Sequence, residues 1–346
     1  MLTLQKINQT VNSLSEKYIS RAKKRRFLAG VQTLSLQHFS SLNSAGRQLS
    51  ANRLTGQTRM RRTVNDRALS AQIRSLIIRE IFSSKSFASS GSGYTYCSLD
   101  HSQFGPFCIA VLALSQRKGR AIPIWCQVNL SVAGLIAPLI TALEDLFELV
   151  HSIDPNLKMV LVMDRWFASE KLMKLIEGHA LYFIVRSKGD KLVQMPYDPS
   201  WWREPLGDIS NEELPITYRG HDLRFVRSEW REGMKGSEPW YLLTNLPENI
   251  TRRQILNRYA ERFEIEEAFK DIKWLQRLEW QMIKKTEVIE SLLHFIFLGW
   301  YILWRLEGKD TPKRSSKQIK HQISWFRLAW EKLQNLSRPP ELKFVS

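Results

Sequence analysis

The chain has 346 residues, 43% of them hydrophobic and 11% aromatic, which excludes a disordered polymer and suits two or three structural units. The net charge of +17 is uneven: residues 1–90 carry 16 Lys and Arg against only Glu16, Asp66 and Glu80, and the remaining 256 residues add a surplus of only +4. Such a basic segment points to a polyanion, either nucleic acid or a membrane surface, because bound Lys and Arg release counterions.

Residues 1–82 read as a basic helical region suited to DNA binding. "SEKYISRAKKRRFLAGV" (15–31) has apolar residues at helical intervals and a basic run containing Lys23, Lys24, Arg25 and Arg26. A second helix is expected over 63–82, capped by Thr63 with Asp66 three places on. Short helices with clustered bases suggest a helix-turn-helix module, although periodicity does not say which helix would read DNA. The Ser/Gly-rich stretch 83–93 reads as a linker.

Strand patterns begin after it. "YTYCSLD" (94–100), "FCIAVLALS" (107–115) and "AIPIWCQV" (121–128) form an antiparallel meander. A helix follows over 134–151, then the buried strand "KMVLVMD" (158–164), a helix over 169–178 and the strand "LYFIVR" (181–186). The order βββαβαβ over 94–186 predicts a mixed sheet with its first and fourth strands parallel and adjacent. Asp100 and Asp164 each close one of those strands, which brings both to the carboxyl edge of the sheet. Residues 187–245 read as an inserted β region, 246–285 as a helix returning to the core and 286–346 as a helical C-terminal region. The apolar run "LLHFIFLGWYILW" (292–304) is shorter than a bilayer span and is interrupted by His294, so a buried helix is expected and no membrane partner.

The three cysteines (Cys97, Cys108 and Cys126) lie in apolar runs without a C-x-x-C pair and read as buried thiols of a reducing compartment. The amino terminus has no apolar signal-peptide core, so a cytoplasmic protein is expected. There is no G-x-S-x-G and no Walker A motif, which disfavours serine hydrolysis and ATP hydrolysis.

"RYAERFEIEEAFKDIK" (258–273) holds Glu261, Glu264, Glu266 and Glu267. Read as one unbroken helix, Tyr259, Arg262, Glu266 and Lys273 share an arc of about 60°. Glu264, Glu267 and Asp271 fall on the opposite, solvated side, and Glu261 lies in the first turn. An Arg262–Glu266 salt-bridge ladder would explain the arginine but has no use for Tyr259 or Lys273. Asp100, Asp164 and Glu266, with no Cys/His cluster, suit Mg²⁺ with Mn²⁺ as a substitute. A pair of such ions can activate a water or a 3′-hydroxyl at a phosphodiester.

Tyr259, Arg262, Glu266 and Lys273, spaced Y-x2-R-x3-E-x6-K, resemble the Y-R-E-K signature of DDE transposases in insertion-sequence family four. "CSLDHSQF" and "VLVMDRWFAS" resemble that family's two Asp strands, and "WYLLTN" (240–245) its segment before the Glu helix. The likeness spans roughly residues 90–280. It implies a ribonuclease-H-like α/β core interrupted by a β domain, with Asp100, Asp164 and Glu266 as a metal-binding catalytic triad. It implies that Tyr259, Arg262 and Lys273 contact transposon-end phosphates and that Trp240 stacks on a flipped base. It further implies double-stranded DNA as partner, a homodimeric synaptic complex, a cut-and-paste reaction, and a bacterial, nucleoid-associated protein. Trp166 departs from the small residue the family often has two places after its second Asp. A domesticated DNA-binding protein and a structure-specific nuclease are the rival readings on the same fold.

Overall fold

The computed structural model describes residues 2–36, 42–50, 52–84, 93–116, 121–195, 203–229, 239–276, 283–307 and 325–336. Most of the expected 83–93 linker and much of the C-terminal region therefore lie outside the described residues. In chain order the helices are α1 (Leu4–Tyr18), α2 (Lys24–Gly30), α3 (Leu42–Gln48), α4 (Arg53–Val64), α5 (Arg67–Phe82), α6 (Ile136–Ile153), α7 (Glu170–Gly178), α8 (Arg252–Glu261), α9 (Phe263–Gln276), α10 (Thr286–Glu307) and α11 (Trp325–Leu336). The strands are β1 (Thr95–Phe104), β2 (Phe107–Leu114), β3 (Ile122–Asn129), β4 (Met159–Met163), β5 (Tyr182–Ser187), β6 (Leu192–Gln194), β7 (Arg203–Pro205), β8 (Glu213–Tyr218), β9 (His221–Arg227) and β10 (Tyr241–Thr244). They divide between two compact units.

The strand unit spans 85–100 and 140–263. Its strands are hydrogen-bonded in the order β1-β4-β5-β10-β9-β8-β6-β7. β1, β4 and β5 run parallel, as the βββαβαβ order predicts, and every residue of β4 is buried. The strands of the 187–245 region extend this sheet, since β10 pairs antiparallel with β5. Asn245 fixes the end of β10: its Oδ1 accepts from Phe183 N at 2.8 Å and its Nδ2 donates to Leu181 O at 3.1 Å. Thr251 and Gln254 form a capping box that starts α8. Tyr259 of α8 is buried in a cluster with Tyr96, Val160, Val162, Ile184 and Leu242. The β8–β9 hairpin turns through Arg219 and Gly220, both at positive φ (53° and 80°), between the paired residues Tyr218 and His221.

The helical unit spans Met1–Ser84, His101–Leu139 and Glu264–Ser346. β2 and β3 pair antiparallel within it. Its spine is α10, whose residues from Ser291 to Trp304 are all buried. By length and composition α10 is the one described helix that could cross a membrane; here 83% of its most apolar window is buried inside the protein. Two close approaches hold it in place: a Cβ on Gly299 would meet the Ser35 carbonyl, and one on Gly30 the Phe295 ring. Ser70 Oγ and His294 Nδ1 are hydrogen-bonded at 2.8 Å, and Glu80 gathers Lys17, Tyr18, Tyr301 and Arg305.

Two local expectations change. α5 is capped by Asp66, whose carboxylate accepts from Leu69 N at 3.0 Å, and Thr63 belongs to α4, where its hydroxyl donates to Arg59 O. β1 continues four residues past Asp100, so Asp100 does not end its strand.

Candidate active site

The last paired rung of β1 and β4 is Leu99–Met163, and that of β4 and β5 is Met163–Val185. Asp100, Asp164 and Arg186 each follow this row by one residue. Parallel strands lie about 4.8 Å apart, so two carboxylates and a guanidinium share one row across three neighbouring strands, just past the end of β4. Asp100 is buried, while Asp164 and Arg186 are half-buried. Arg186 was visible in the sequence as the last residue of the "LYFIVR" strand, but nothing in one sequence marks its row.

α8 and the residue after it supply the groups that meet the two carboxylates. Arg262 Nη1 donates to Asp100 Oδ2 at 2.5 Å, a buried ion pair. Tyr259 Oη donates to Asp164 Oδ1 at 3.3 Å. Burial first, and the Asp164 charge after it, push the Tyr259 phenol up to about 12, against the lowering effect of Arg262 and Arg186. Tyr259 is therefore a neutral donor at physiological pH. Trp240 stands edge-on to the Tyr259 ring at 5.0 Å and is tilted against Phe263 at 6.3 Å, which makes it a packing partner of the site tyrosine.

The unbroken helix expected through 258–273 is interrupted. α8 ends at Glu261, Arg262 N–H turns back to Tyr259 O at 3.0 Å, and α9 begins at Phe263. A single helical phase therefore does not connect Tyr259 with Lys273. Tyr259 and Arg262 belong to the strand unit, Glu266 and Lys273 to the helical unit. Glu266 is half-buried in the first turn of α9, and Lys273 Nζ lies 4.9 Å from the centre of the Phe104 ring. The other acids differ from expectation as well. Asp271 is buried at 7% exposure, so it is not on a solvated face. Glu264 is half-buried and accepts from Gln116 N at 3.0 Å, and Glu261 pairs with Arg258 at 2.7 Å. Only Glu267, paired with the exposed Lys270, behaves as a surface charge.

The basic run near the amino terminus separates into two kinds of residue. Lys23 and Arg26 both pair with Asp66, at 2.9 and 2.6 Å, and Lys24 pairs with Glu16 at 3.4 Å. Arg25 pairs with none of these acids, and it lines a cleft with Arg26 and residues of α4.

Among the described residues, no group of three His, Cys, Asp or Glu side chains is gathered to hold a metal ion. Asp100 and Asp164 supply carboxylate oxygens, the donors a hard divalent cation takes, and the Asp100 carboxylate is here occupied by Arg262.

Residues 140–302 match the family model described as the transposase DDE domain. The match supports a DDE transposase. It takes in Asp164, Trp240, Tyr259, Arg262, Glu266 and Lys273 and begins after Asp100. The mixed sheet flanked by helices is consistent with a ribonuclease-H-like DDE domain. A search of curated proteins gave no match.

Proposed function

We propose that the chain is a transposase of the Y-R-E-K kind. It would cut DNA at terminal inverted repeats and join the freed 3′ ends to target DNA, acting as a homodimer in a cut-and-paste reaction. The observation that carries this reading is the row formed by Asp100 and Asp164 one residue past a shared rung, met by Arg262 and Tyr259. Glu266 enters as third carboxylate on the sequence pattern. Asp100 and Asp164, with Glu266, would hold Mg²⁺ or Mn²⁺. Two such ions, when bound, would polarise the phosphodiester and lower the pKa of the attacking hydroxyl or water.

The protein's own groups supply position and charge. Arg262 fixes Asp100 and keeps a buried positive charge beside it. Tyr259, protonated, aims Asp164. Arg186, in the same row, suits a phosphate oxygen of the bound strand, since a guanidinium fork matches phosphate geometry.

The test is Mg²⁺-dependent cleavage and joining of duplexes carrying the ends that flank the gene. Asp100→Asn, Asp164→Asn and Glu266→Gln should each lower cleavage by more than about 100-fold, beyond the usual cost of an outer-sphere change. Glu267→Gln should keep activity, and Arg186→Gln should raise KM more than it lowers kcat. Full cleavage by Glu266→Gln would remove that residue from the site. Cleavage without joining would favour a structure-specific nuclease, and tight binding without cleavage a domesticated DNA-binding protein.

A further inference from the structure

α4 has two faces. Gly56, Met60, Thr63 and Val64 are buried, whereas Leu54, Thr55, Thr58 and Arg62 are exposed and share the opposite face at intervals of one, four and eight residues. Leu54 is 74% exposed, the most exposed of the large apolar side chains described. The helix contains no acidic residue. Asn52 caps it, accepting from Leu54 N at 3.1 Å and Thr55 N at 3.2 Å. α3 crosses its back so closely that a Cβ on Gly46 would come within 2.7 Å of Gln57 Cα, and one on Gly56 would run into the Gly46 carbonyl. α3 and α4 are thus two short consecutive helices locked through a glycine contact, and the second presents its free face.

The charges beside that face are uncompensated. The three acids of residues 1–90 are already engaged: Glu16 with Lys24, Asp66 with Lys23 and Arg26, and Glu80 with Lys17 and Arg305. Among the described residues, none of them pairs with Arg25, Arg59 or Arg62. With Arg26, whose partner is Asp66, these three line one cleft of about 630 Å³ beside Thr55 and Thr58. Burial, and then the neighbouring Arg25 charge, hold the Arg59 guanidinium below its usual range. Four arginines with a single carboxylate partner between them are stabilised by an external anion.

We propose that α4 is the helix that enters the major groove of double-stranded DNA. Leu54, Thr58 and Arg62 face the base edges, and Arg25 and Arg59 hold the phosphates alongside. At about 1.5 Å per residue the helix is long enough to cross the groove, which is about 12 Å wide. Arginine reads guanine, and threonine methyls and leucine meet the thymine methyl. A membrane surface fits less well: an interfacial helix turns a broad apolar face outward, whereas α4 turns Met60 and Val64 inward. α4 thus carries the base-reading role in this proposal, with Arg25 and Arg26 of the 23–26 run lining the same cleft.

The inference rests on the transposase reading only in taking DNA as the polyanion, and its test needs no cleavage. The full-length chain, in chelator, is used to select duplexes from a random-sequence pool. Anisotropy titrations then compare a selected with an unselected duplex over a range of salt. Thr58→Ala and Arg62→Ala should weaken the selected duplex by about 5- to 100-fold and leave the unselected one nearly unchanged. Arg25→Ala and Arg59→Ala should weaken both alike and each lower the salt slope by about one. All four side chains lie at the surface or the cleft, and circular dichroism checks that each variant folds. Unchanged selectivity in the α4 variants, or equal binding to phosphatidylserine vesicles, would overturn the assignment. Loss of selectivity in α4 variants alongside a chain that never cuts would uphold α4 and reject the transposase reading.

Discussion

Arg262 and Asp100 lie far apart in sequence and form a buried ion pair, with side-chain exposures of 5% and 11%. Removing one partner leaves the other charge buried and unmatched, at a cost of about 3–5 kcal/mol. Arg262→Ala and Asp100→Asn are each expected to destabilise strongly, and the double variant to cost much less than their sum. Urea unfolding of the four proteins in this cycle measures the coupling. Additive losses would mean the pair contributes nothing as a pair.

Tyr259→Phe removes one hydrogen bond to Asp164 and keeps the ring against Trp240. A stability loss of about 1 kcal/mol is expected, with a larger loss of strand cleavage. Because the phenol is pushed up to about 12, the wild type minus Tyr259→Phe difference spectrum should show no phenolate near pH 10. A phenolate signal there would mean that the ring is open to water.

His294 is buried beside Ser70, and burial, with the Arg74 charge behind it, drives its pKa down to about 3. A histidine in the unfolded chain titrates near about 6.5. Between those values the unfolded state binds the extra proton, so stability falls as the pH drops, by up to about 1.4 kcal/mol per unit. His294→Gln keeps a hydrogen-bonding group for Ser70 and removes the titration. Its unfolding free energy should depend less steeply on pH over that interval, and parallel profiles would exclude His294 as the source.

Gly56→Ala forces a methyl group into the Gly46 carbonyl, so α3 or α4 has to shift. A loss of about 1–3 kcal/mol is expected. Gly178→Ala, at the end of α7 with nothing within 4 Å of its Cβ, serves as the control and should be neutral or mildly stabilising. Thermal melts of the two variants compare them directly.

The carboxylate row was legible because β1 and β4 are apolar runs, and the order of elements leaves them one parallel arrangement. Asp100 and Asp164 follow from that alone. The break at Arg262 was not legible: "RYAERFEIEE" contains no glycine or proline, and a turn made by one backbone hydrogen bond leaves no mark on composition. A phase carried across it therefore put Asp271 in water, when it is buried. The roles of Lys23 and Arg26 were hidden for a related reason. Which cations are already neutralised depends on Asp66, some forty residues away. The two faces of α4 needed the buried Gly46–Gly56 contact to become visible.

The β8–β9 turn has a practical consequence. Arg219 and Gly220 close it with two left-handed residues, and a Cβ built on Gly220 meets nothing within 4 Å. The paired strands on either side fix the register independently of what the turn carries outward. A dye or short affinity tag introduced at this corner would sit on a rigid two-stranded stem, and its movement would report that of the sheet bearing Asp164.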